Sequence, residues 1–256
     1  MGILEHFRLD NRVAIVTGGN RGLGKEMGKA LAEAGAQVAV VSRQVAEAQA
    51  VAAEHQVATG KTCRGYGCDV AQPEQVEKLV ADVLRDFGQV DILVNNAGIN
   101  IRNPIEDLSL EEFRQVQDTN VTGPWLLCRA FSKHFKDRKS GRVINVGSTL
   151  STVSIAGRTP YASSKGAVLQ MTRTLALEWA PYGVTANCIM PGPFGTEMNQ
   201  SLLNDPATYQ AFIAKVPLGR WGNLDEIGGL VVFLASDASS FITGAGIAID
   251  GGWTVM

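Results

Sequence analysis

Short runs of β-branched and other apolar residues alternate along this chain with longer segments that have the period of an amphipathic helix. Parallel strands joined by helices form right-handed crossovers, so this alternation predicts an α/β fold: a doubly wound parallel sheet with helices on both faces. Strands are predicted at residues 13–16, 38–41, 92–94, 142–146, 184–189 and 246–249, with a seventh near 61–68. Helices are predicted at roughly 22–34, 44–58, 73–87, 109–135, 160–181 and 223–235.

One segment departs from this alternation. Residues 192–220 follow the sixth strand and contain Pro, Gly, Phe and Met, but no strand pattern. A loop of that length in a compact domain is typically a lid or a binding loop. We therefore expect a single domain over residues 1–256, with a substrate lid at about 192–220.

Composition excludes several classes of protein. The net charge is −2 and the isoelectric point about 6.0, so neither nucleic acid nor an anionic membrane is expected as a partner. Apolar residues make up 45% and charged residues 19%, which excludes a disordered chain. No apolar run approaches the ~20 residues of a membrane span, and the N-terminal residues lack the apolar run of a signal peptide. The expected location is cytoplasmic, with a small-molecule substrate as the partner.

The four cysteines and three histidines lack the spacing of known metal or redox sites. No two cysteines form a CxxC pair, so we expect reduced thiols that pack as small apolar groups. The histidines are far apart and stand outside any motif, which disfavours a zinc site and a Ser-His-Asp triad. No metal is predicted.

The first strand runs into a glycine-rich loop. Its sequence, Thr-Gly-Gly-Asn-Arg-Gly-Leu-Gly at 17–24, precedes a predicted helix. Residues without a Cβ allow a sharp turn and close approach of the backbone to phosphate groups, and the free N–H groups of a helix N-terminus attract an anion. A nucleoside triphosphate loop is excluded, because Glu26 stands where Ser or Thr would hold Mg²⁺. Taken alone, the loop is also compatible with a simple tight turn.

Further motifs follow at the other strand ends. Asn-Asn-Ala-Gly at 95–98 closes the fourth strand, and Ser148 follows the fifth. Tyr-Ala-Ser-Ser-Lys at 161–165 begins a helix, and Pro-Gly at 191–192 follows the sixth strand. In this order, together with the Thr-Gly-x-x-x-Gly-x-Gly loop, the chain resembles the short-chain dehydrogenase/reductase family over nearly its whole length. The resemblance implies a Rossmann-type sheet and a nicotinamide dinucleotide cofactor.

Tyr161 and Lys165 stand four residues apart on a predicted helix and therefore share one face. A free phenol has a pKa of ~10, and a neighbouring ammonium group, together with the positive nicotinamide ring of the oxidised cofactor, is expected to lower that pKa. The resemblance implies that Tyr161 is the general acid and base, that Lys165 also binds the nicotinamide ribose, and that Ser148 binds the substrate oxygen. It further implies that Asn120 supports a water-linked proton path.

The resemblance also implies which residues hold the dinucleotide. Besides Tyr161 and Lys165 they are Gly18, Asn20, Arg21, Gly22, Leu23, Gly24, Ser42, Arg43, Asp69, Val70, Asn95, Ala97, Gly98, Pro191, Gly192 and Thr196. At the end of the second strand, Ser42 occupies the position where relatives that prefer NAD carry a carboxylate. Arg43 and Arg21 can bind a 2′-phosphate, so NADP(H) is the expected cofactor. In the alternative, Arg43 stacks on adenine and Arg21 faces water.

The residues expected around the substrate are mostly polar, which disfavours a sterol. They are Ile99, Asn100, Arg102, Thr149, Ser151, Thr152, Val153, Arg158, Phe194, Met198 and Asn199. Arg102 and Arg158 are either partners for a substrate carboxylate or solvated surface groups. The pattern is similar to that of the family's sugar and sugar-acid members, gluconate 5-dehydrogenases among them, so we expect a secondary alcohol or ketone on a small polar compound.

Two alternatives remain at this point. The chain is also similar to 3-oxoacyl carrier-protein reductases, although Tyr182 stands where these have a basic residue, and Lys139 retains another basic site. A non-catalytic NADP-binding scaffold is the second alternative, and the presence of both Tyr161 and Lys165 argues against it. The family resemblance implies a homotetramer that associates through residues 109–135, 160–181 and 250–253.

Overall fold

The computed structural model describes residues 2–196 and 206–255. Its strands are β1 Val13–Thr17, β2 Gln37–Ser42, β3 Cys63–Gly67, β4 Ile92–Asn95, β5 Gly141–Val146, β6 Val184–Pro191 and β7 Gly246–Ile249. They form one seven-stranded sheet in the order β3-β2-β1-β4-β5-β6-β7, and every neighbouring pair is parallel. The predicted α/β doubly wound sheet is confirmed. The order reverses between β1 and β4, which opens a crevice at the carboxyl ends of these strands.

Helices connect the strands. They are α1 Gly22–Glu33, α2 Val45–Thr59, α3 Pro73–Phe87, α4 Leu110–Gln117, α5 Gly123–Arg138, α6 Thr159–Trp179, α7 Pro206–Ile213 and α8 Ile227–Ala235. Two differences from the sequence prediction concern the site. The helix predicted at 109–135 is interrupted by a π-helical turn at Asp118–Thr122, and the segment 192–220 contains α7.

Two apolar layers form the core, one on each face of the sheet. Along β1, Ala14 and Val16 belong to the layer that packs against α1, α2 and α8. Val13 and Ile15 belong to the opposite layer, with apolar residues of α3 and α5. Successive side chains of a strand point to opposite faces, so a strand buried on both faces has a continuous apolar sequence. This is why the short apolar runs predicted the strands correctly.

All four cysteines are buried free thiols. Burial disfavours the thiolate and raises the pKa of Cys128 to about 12 and that of Cys63 to about 11. Over residues 2–196 and 206–255, no group of three or more His, Cys, Asp or Glu side chains is arranged to hold a metal ion. In the same ranges, none of the helices has the length and apolar character needed to cross a membrane.

Candidate functional site

A cavity of about 820 Å³ lies at the carboxyl ends of β1, β4, β5 and β6. In an open parallel sheet, ligands bind in the crevice where the strand order reverses. Most of the residues predicted to form the site line this cavity. They are Gly18, Asn20, Arg21, Gly22, Leu23, Gly24, Ser42, Arg43, Asp69, Val70, Ala97, Gly98, Ser148, Tyr161, Lys165, Pro191, Gly192 and Thr196.

The glycine loop is held against the end of β4 by hydrogen bonds. Asn96 Nδ2 donates to the carbonyls of Thr17 and Gly18 at 2.9 and 3.1 Å, and Thr17 Oγ1 accepts from the backbone N–H of Ala97 at 3.1 Å. Gly18 has a φ of +62°, and a Cβ on Gly24 would lie 2.1 Å from the Gly18 carbonyl oxygen. Only glycine fits at position 24, so the first turn of α1 packs directly against the Gly18 carbonyl and fixes the shape of the loop.

The end of β2 forms the far part of the cavity. The Ser42 hydroxyl donates to the Gln44 carbonyl at 2.8 Å and accepts from the Gln44 N–H at 3.1 Å, so it shapes the turn that presents Arg43. Arg43 is exposed and makes no ion pair within the described residues. Glu47, which the sequence analysis did not identify, also lines the cavity and accepts from Asn20 Nδ2 at 2.6 Å.

Tyr161, Lys165 and Ser148 come together at the ends of β5 and α6. Lys165 is buried, and its Nζ donates to the Val146 carbonyl at 2.7 Å and lies 5.5 Å from the centre of the Tyr161 ring. Ser148 follows β5, and its hydroxyl accepts from the Leu150 N–H at 3.1 Å and is hydrogen-bonded to Tyr161. The phenol, the hydroxyl and the ammonium group therefore converge on one part of the cavity.

Burial controls the protonation of these groups. It raises the pKa of the Tyr161 phenol, while the hydrogen bond to Ser148 and the charges of Arg102 and Arg158 oppose that rise. Among the protein's own groups, the desolvation of the phenolate outweighs the nearby positive charges, whereas the lowering predicted from the sequence combined Lys165 with the positive nicotinamide ring of the oxidised cofactor. Burial also lowers the pKa of Lys165 to about 8.

Asn120 lies behind the cavity wall. It is buried in the π-helical turn, where Oδ1 accepts from the Ile99 N–H at 2.8 Å and Nδ2 donates to the Ile99 carbonyl at 2.9 Å and to Ser164 Oγ at 3.0 Å. A Cβ on Gly98 would be 3.2 Å from Asn120 Oδ1 and 3.6 Å from Lys165 Nζ. Asn120 thus joins the loop after β4 to α6, next to Lys165.

Asn95, expected at the cofactor, does not line the cavity. Its side chain is buried in the sheet and donates to Asn145 Oδ1 at 2.8 Å, while Asn145 donates to Thr172 Oγ1 at 2.9 Å. The neighbouring Asn96 lines the cavity instead. The reason is strand alternation, which turns successive side chains in opposite directions. The Asn95–Asn145–Thr172 chain fixes α6 on the sheet and so positions Tyr161.

The substrate end of the cavity differs in part from the prediction. Ile99, Asn100, Arg102, Thr149, Arg158 and Phe194 line it. Ser151, Thr152 and Val153 do not; the Ser151 hydroxyl is turned toward α6 and donates to the Lys165 carbonyl at 2.8 Å. Met198 and Asn199 lie outside the described residues.

Three aromatic residues that the sequence analysis did not assign to the substrate site complete this end of the cavity; Phe212 lies in the segment expected to be a lid, and Trp253 in one expected to associate. Phe212 of α7 packs against Trp221 and Trp253, with ring centres 5.5 and 5.9 Å away. They are distant in sequence from every recognised motif. No local pattern could have found them, because their common feature is contact in the folded chain.

Comparison with known proteins identifies the family. Residues 18–254 match the family model described as "Enoyl-(Acyl carrier protein) reductase". The chain belongs to the short-chain dehydrogenase/reductase family. It is 39% identical over 98% of its length to a 2-dehydro-3-deoxy-D-gluconate 5-dehydrogenase of Pseudoalteromonas atlantica, covering 99% of that protein. It is 38% identical over 95% of its length to a 3-oxoacyl-[acyl-carrier-protein] reductase of Vibrio cholerae, covering 98% of that protein.

A solved member of the short-chain dehydrogenase/reductase family has nearly the same fold. The crystal structure of a gluconate 5-dehydrogenase from Burkholderia cenocepacia, in complex with NADP and tartrate, superposes with a TM-score of 0.96 at 36% identity. The alignment covers 100% of both chains. The predicted family and the Rossmann-type sheet are confirmed.

Proposed function

We propose that this protein is an NADP(H)-dependent oxidoreductase that interconverts a secondary alcohol and a ketone of a sugar acid. The observation that carries the substrate class is the pair of guanidinium groups beside Tyr161. Arg102 and Arg158 line the cavity together with Tyr161, and both charges act on its phenol. A guanidinium group in a partly buried cavity favours a carboxylate as its ligand.

The cavity fits a dinucleotide with a 2′-phosphate. The glycine loop lines the cavity with the N-terminus of α1, where backbone N–H groups attract a pyrophosphate, and Arg43 supplies a guanidinium group at the far end. Of the predicted dinucleotide-binding set, all residues except Asn95 line the cavity. When bound, the nicotinamide gives or accepts the hydride, which no side chain can do reversibly.

Each residue near Tyr161 has a separate role in this proposal. Tyr161 gives its phenolic proton to the carbonyl oxygen in reduction and takes the alcohol proton in oxidation. Ser148 binds the same substrate oxygen and Lys165 binds the cofactor ribose. Asn120 positions the loop after β4 and supports a water-linked proton path to Lys165.

We extend the proposal to organisation and location. The chain is one domain, and the segment 192–220, with α7, excludes water from the reacting groups. It acts as a cytoplasmic homotetramer. Leu110, Trp125 and Leu177 are 62, 49 and 80% exposed on α4, α5 and α6, which suits helices that associate. Four free buried thiols suit a reducing compartment.

The second candidate is reduction of a 3-oxoacyl thioester, favoured by the similarity to the Vibrio cholerae reductase. NADPH oxidation with 5-ketogluconate and with an acetoacetyl thioester separates the two. We expect faster turnover of 5-ketogluconate, and we expect Arg158→Gln to raise its KM about tenfold or more through loss of a charge-assisted hydrogen bond. Arg85→Gln, which removes an exposed arginine of α3, is the matched control. A higher kcat/KM with the thioester would refute the sugar-acid proposal.

A further inference from the structure

Two buried polar atoms at the substrate end of the cavity have no hydrogen-bond partner within the described residues. They are Trp221 Nε1 and Asn100 Oδ1. Trp221 is only 7% exposed, and both residues line the cavity. A buried donor or acceptor without a partner is costly, and folded proteins rarely retain one without a reason. The two atoms have complementary roles, since the indole N–H only donates and the amide oxygen only accepts.

The position of the Trp221 side chain is fixed from several sides. Arg220 forms a two-point ion pair with Glu226 at 2.8 and 2.6 Å and also donates to the Trp221 carbonyl at 3.0 Å. The next residue, Gly222, donates its N–H to the Pro193 carbonyl at 2.9 Å. The Trp221 ring stacks on Tyr209 with centres 6.0 Å apart. Its N–H is therefore held in place before any ligand arrives, which lowers the entropic cost of binding.

Asn100 lies in the loop that Asn120 holds through Ile99, two residues before Arg102. A ligand that fills the cavity meets an amide acceptor, an indole donor and aromatic side chains. A hydroxyl group can satisfy either polar atom, because it donates and accepts. An acyl chain offers no hydrogen to the Asn100 oxygen.

We propose that Trp221 and Asn100 recognise substrate hydroxyl groups: Trp221 Nε1 donates to a hydroxyl oxygen and Asn100 Oδ1 accepts a hydroxyl hydrogen. This inference rests on the proposed function and deepens it, because it assigns the selection of a polyhydroxylated chain to residues other than the arginines. A site built to bind hydroxyl groups rejects an analogue that lacks them, since its own polar groups then stay unpaired.

Kinetics with a matched pair of substrates tests the proposal. 5-Ketogluconate and 5-oxohexanoate share the carboxylate and the ketone, and only the first carries hydroxyl groups. We expect Trp221→Phe to lower kcat/KM for 5-ketogluconate roughly tenfold and to leave that for 5-oxohexanoate within about twofold. Asn100→Ala should give the same pattern. Trp179→Phe is the control, since Trp179 is equally buried but lies in the core away from the cavity. An equal effect on both substrates, or none on either, would overturn the proposal.

A binding measurement separates this proposal from the proposed function. The chain has four tryptophans, so ¹⁵N-indole labelling gives four resolvable side-chain signals, and Trp221→Phe assigns one of them. In the NADP(H)-loaded enzyme, the Trp221 signal should shift on titration with gluconate and also with the neutral polyol glucitol. A shift with glucitol without turnover of 5-ketogluconate would refute the sugar-acid function but retain hydroxyl recognition. Turnover of 5-ketogluconate with an unmoved Trp221 signal would refute hydroxyl recognition alone.

Discussion

At the scale of single residues, two adjacent side chains at the end of β2 affect the choice between NADP(H) and NAD(H) in different ways. Ser42 uses its hydroxyl within its own turn, and Arg43 extends into the cavity. A carboxylate at Ser42 would set a negative charge beside the place proposed for the 2′-phosphate. Cofactor choice thus depends on the absence of one charge and the presence of another.

Replacing Arg43 with alanine tests whether this residue binds the 2′-phosphate of NADP(H). Arg43→Ala should raise KM for NADPH about tenfold or more, because a charge-assisted contact to a phosphate is lost, and should change KM for NADH little. The measurement is steady-state kinetics with each cofactor at saturating 5-ketogluconate. Arg64→Ala, half-exposed at the opposite end of the neighbouring strand β3, is the control. Equal losses for both cofactors would contradict the assignment.

Residue identities were predicted better than residue environments. Tyr161, Lys165, Ser148 and the glycine loop belong to short motifs, so their meeting at the strand ends followed from the order of the motifs. The burial of the Tyr161 phenol, which raises its pKa, did not follow, because burial depends on everything packed around the side chain. Asn95 was misplaced for a simpler reason: two adjacent asparagines at a strand end face opposite ways.

At the scale of elements, the π-helical turn between α4 and α5 is the main departure from the predicted helices. Its cause is tertiary. Asn120 bonds to Ile99 and to Ser164, which are 21 and 44 residues away, and the wider turn brings its amide to both. Single-turn π segments in a helix often occur at functional sites. The sequence pattern of a continuous helix contains no trace of these distant partners.

Asn120→Ala should lower both stability and turnover. We expect a loss of roughly 2–3 kcal/mol in the free energy of unfolding, because the N–H and C=O of Ile99 lose their buried partner, together with a lower kcat. Denaturant unfolding and steady-state rates measure the two effects. Asp118→Ala, an exposed change in the same turn, should stay within about 0.5 kcal/mol of the wild type. A stable and fully active Asn120→Ala variant would contradict the positioning role.

At the scale of the whole molecule, the sheet could be predicted from the sequence, but the aromatic residues at the substrate end of the cavity could not. Buried parallel strands have continuous apolar sequences, so their number, order along the chain and carboxyl ends could be derived. The aromatic wall of Phe212, Trp221 and Trp253 assembles from segments that meet only after folding. Burial of Lys165 lowers its pKa to about 8, so the folded protein loses stability at neutral pH by holding this ammonium group in its interior.

Lys165→Met should therefore remove activity. At neutral pH the variant loses the hydrogen bond from Nζ to the Val146 carbonyl, but it also avoids the cost of burying an ammonium group, and this offsets the loss. Folding wild-type protein at pH 7 desolvates an ammonium group whose folded pKa is depressed, and this penalty is relieved as pH rises from about 8 toward 10.5. The stability of the variant relative to wild type should fall by on the order of 2 kcal/mol between pH 7 and pH 10. Denaturant unfolding of both proteins at the two pH values gives this difference, and a pH-independent difference would show that Lys165 is not desolvated.

The burial of all four thiols has a consequence for how the protein ages. Each cysteine sulfur is enclosed and its pKa lies above the usual range, so oxidants and electrophiles in the surroundings find no exposed thiolate on the native protein. Chemical damage at sulfur then requires that the interior first be opened. Oxidation of the cysteines should therefore report unfolding of the protein and not exposure of the folded protein to oxidants.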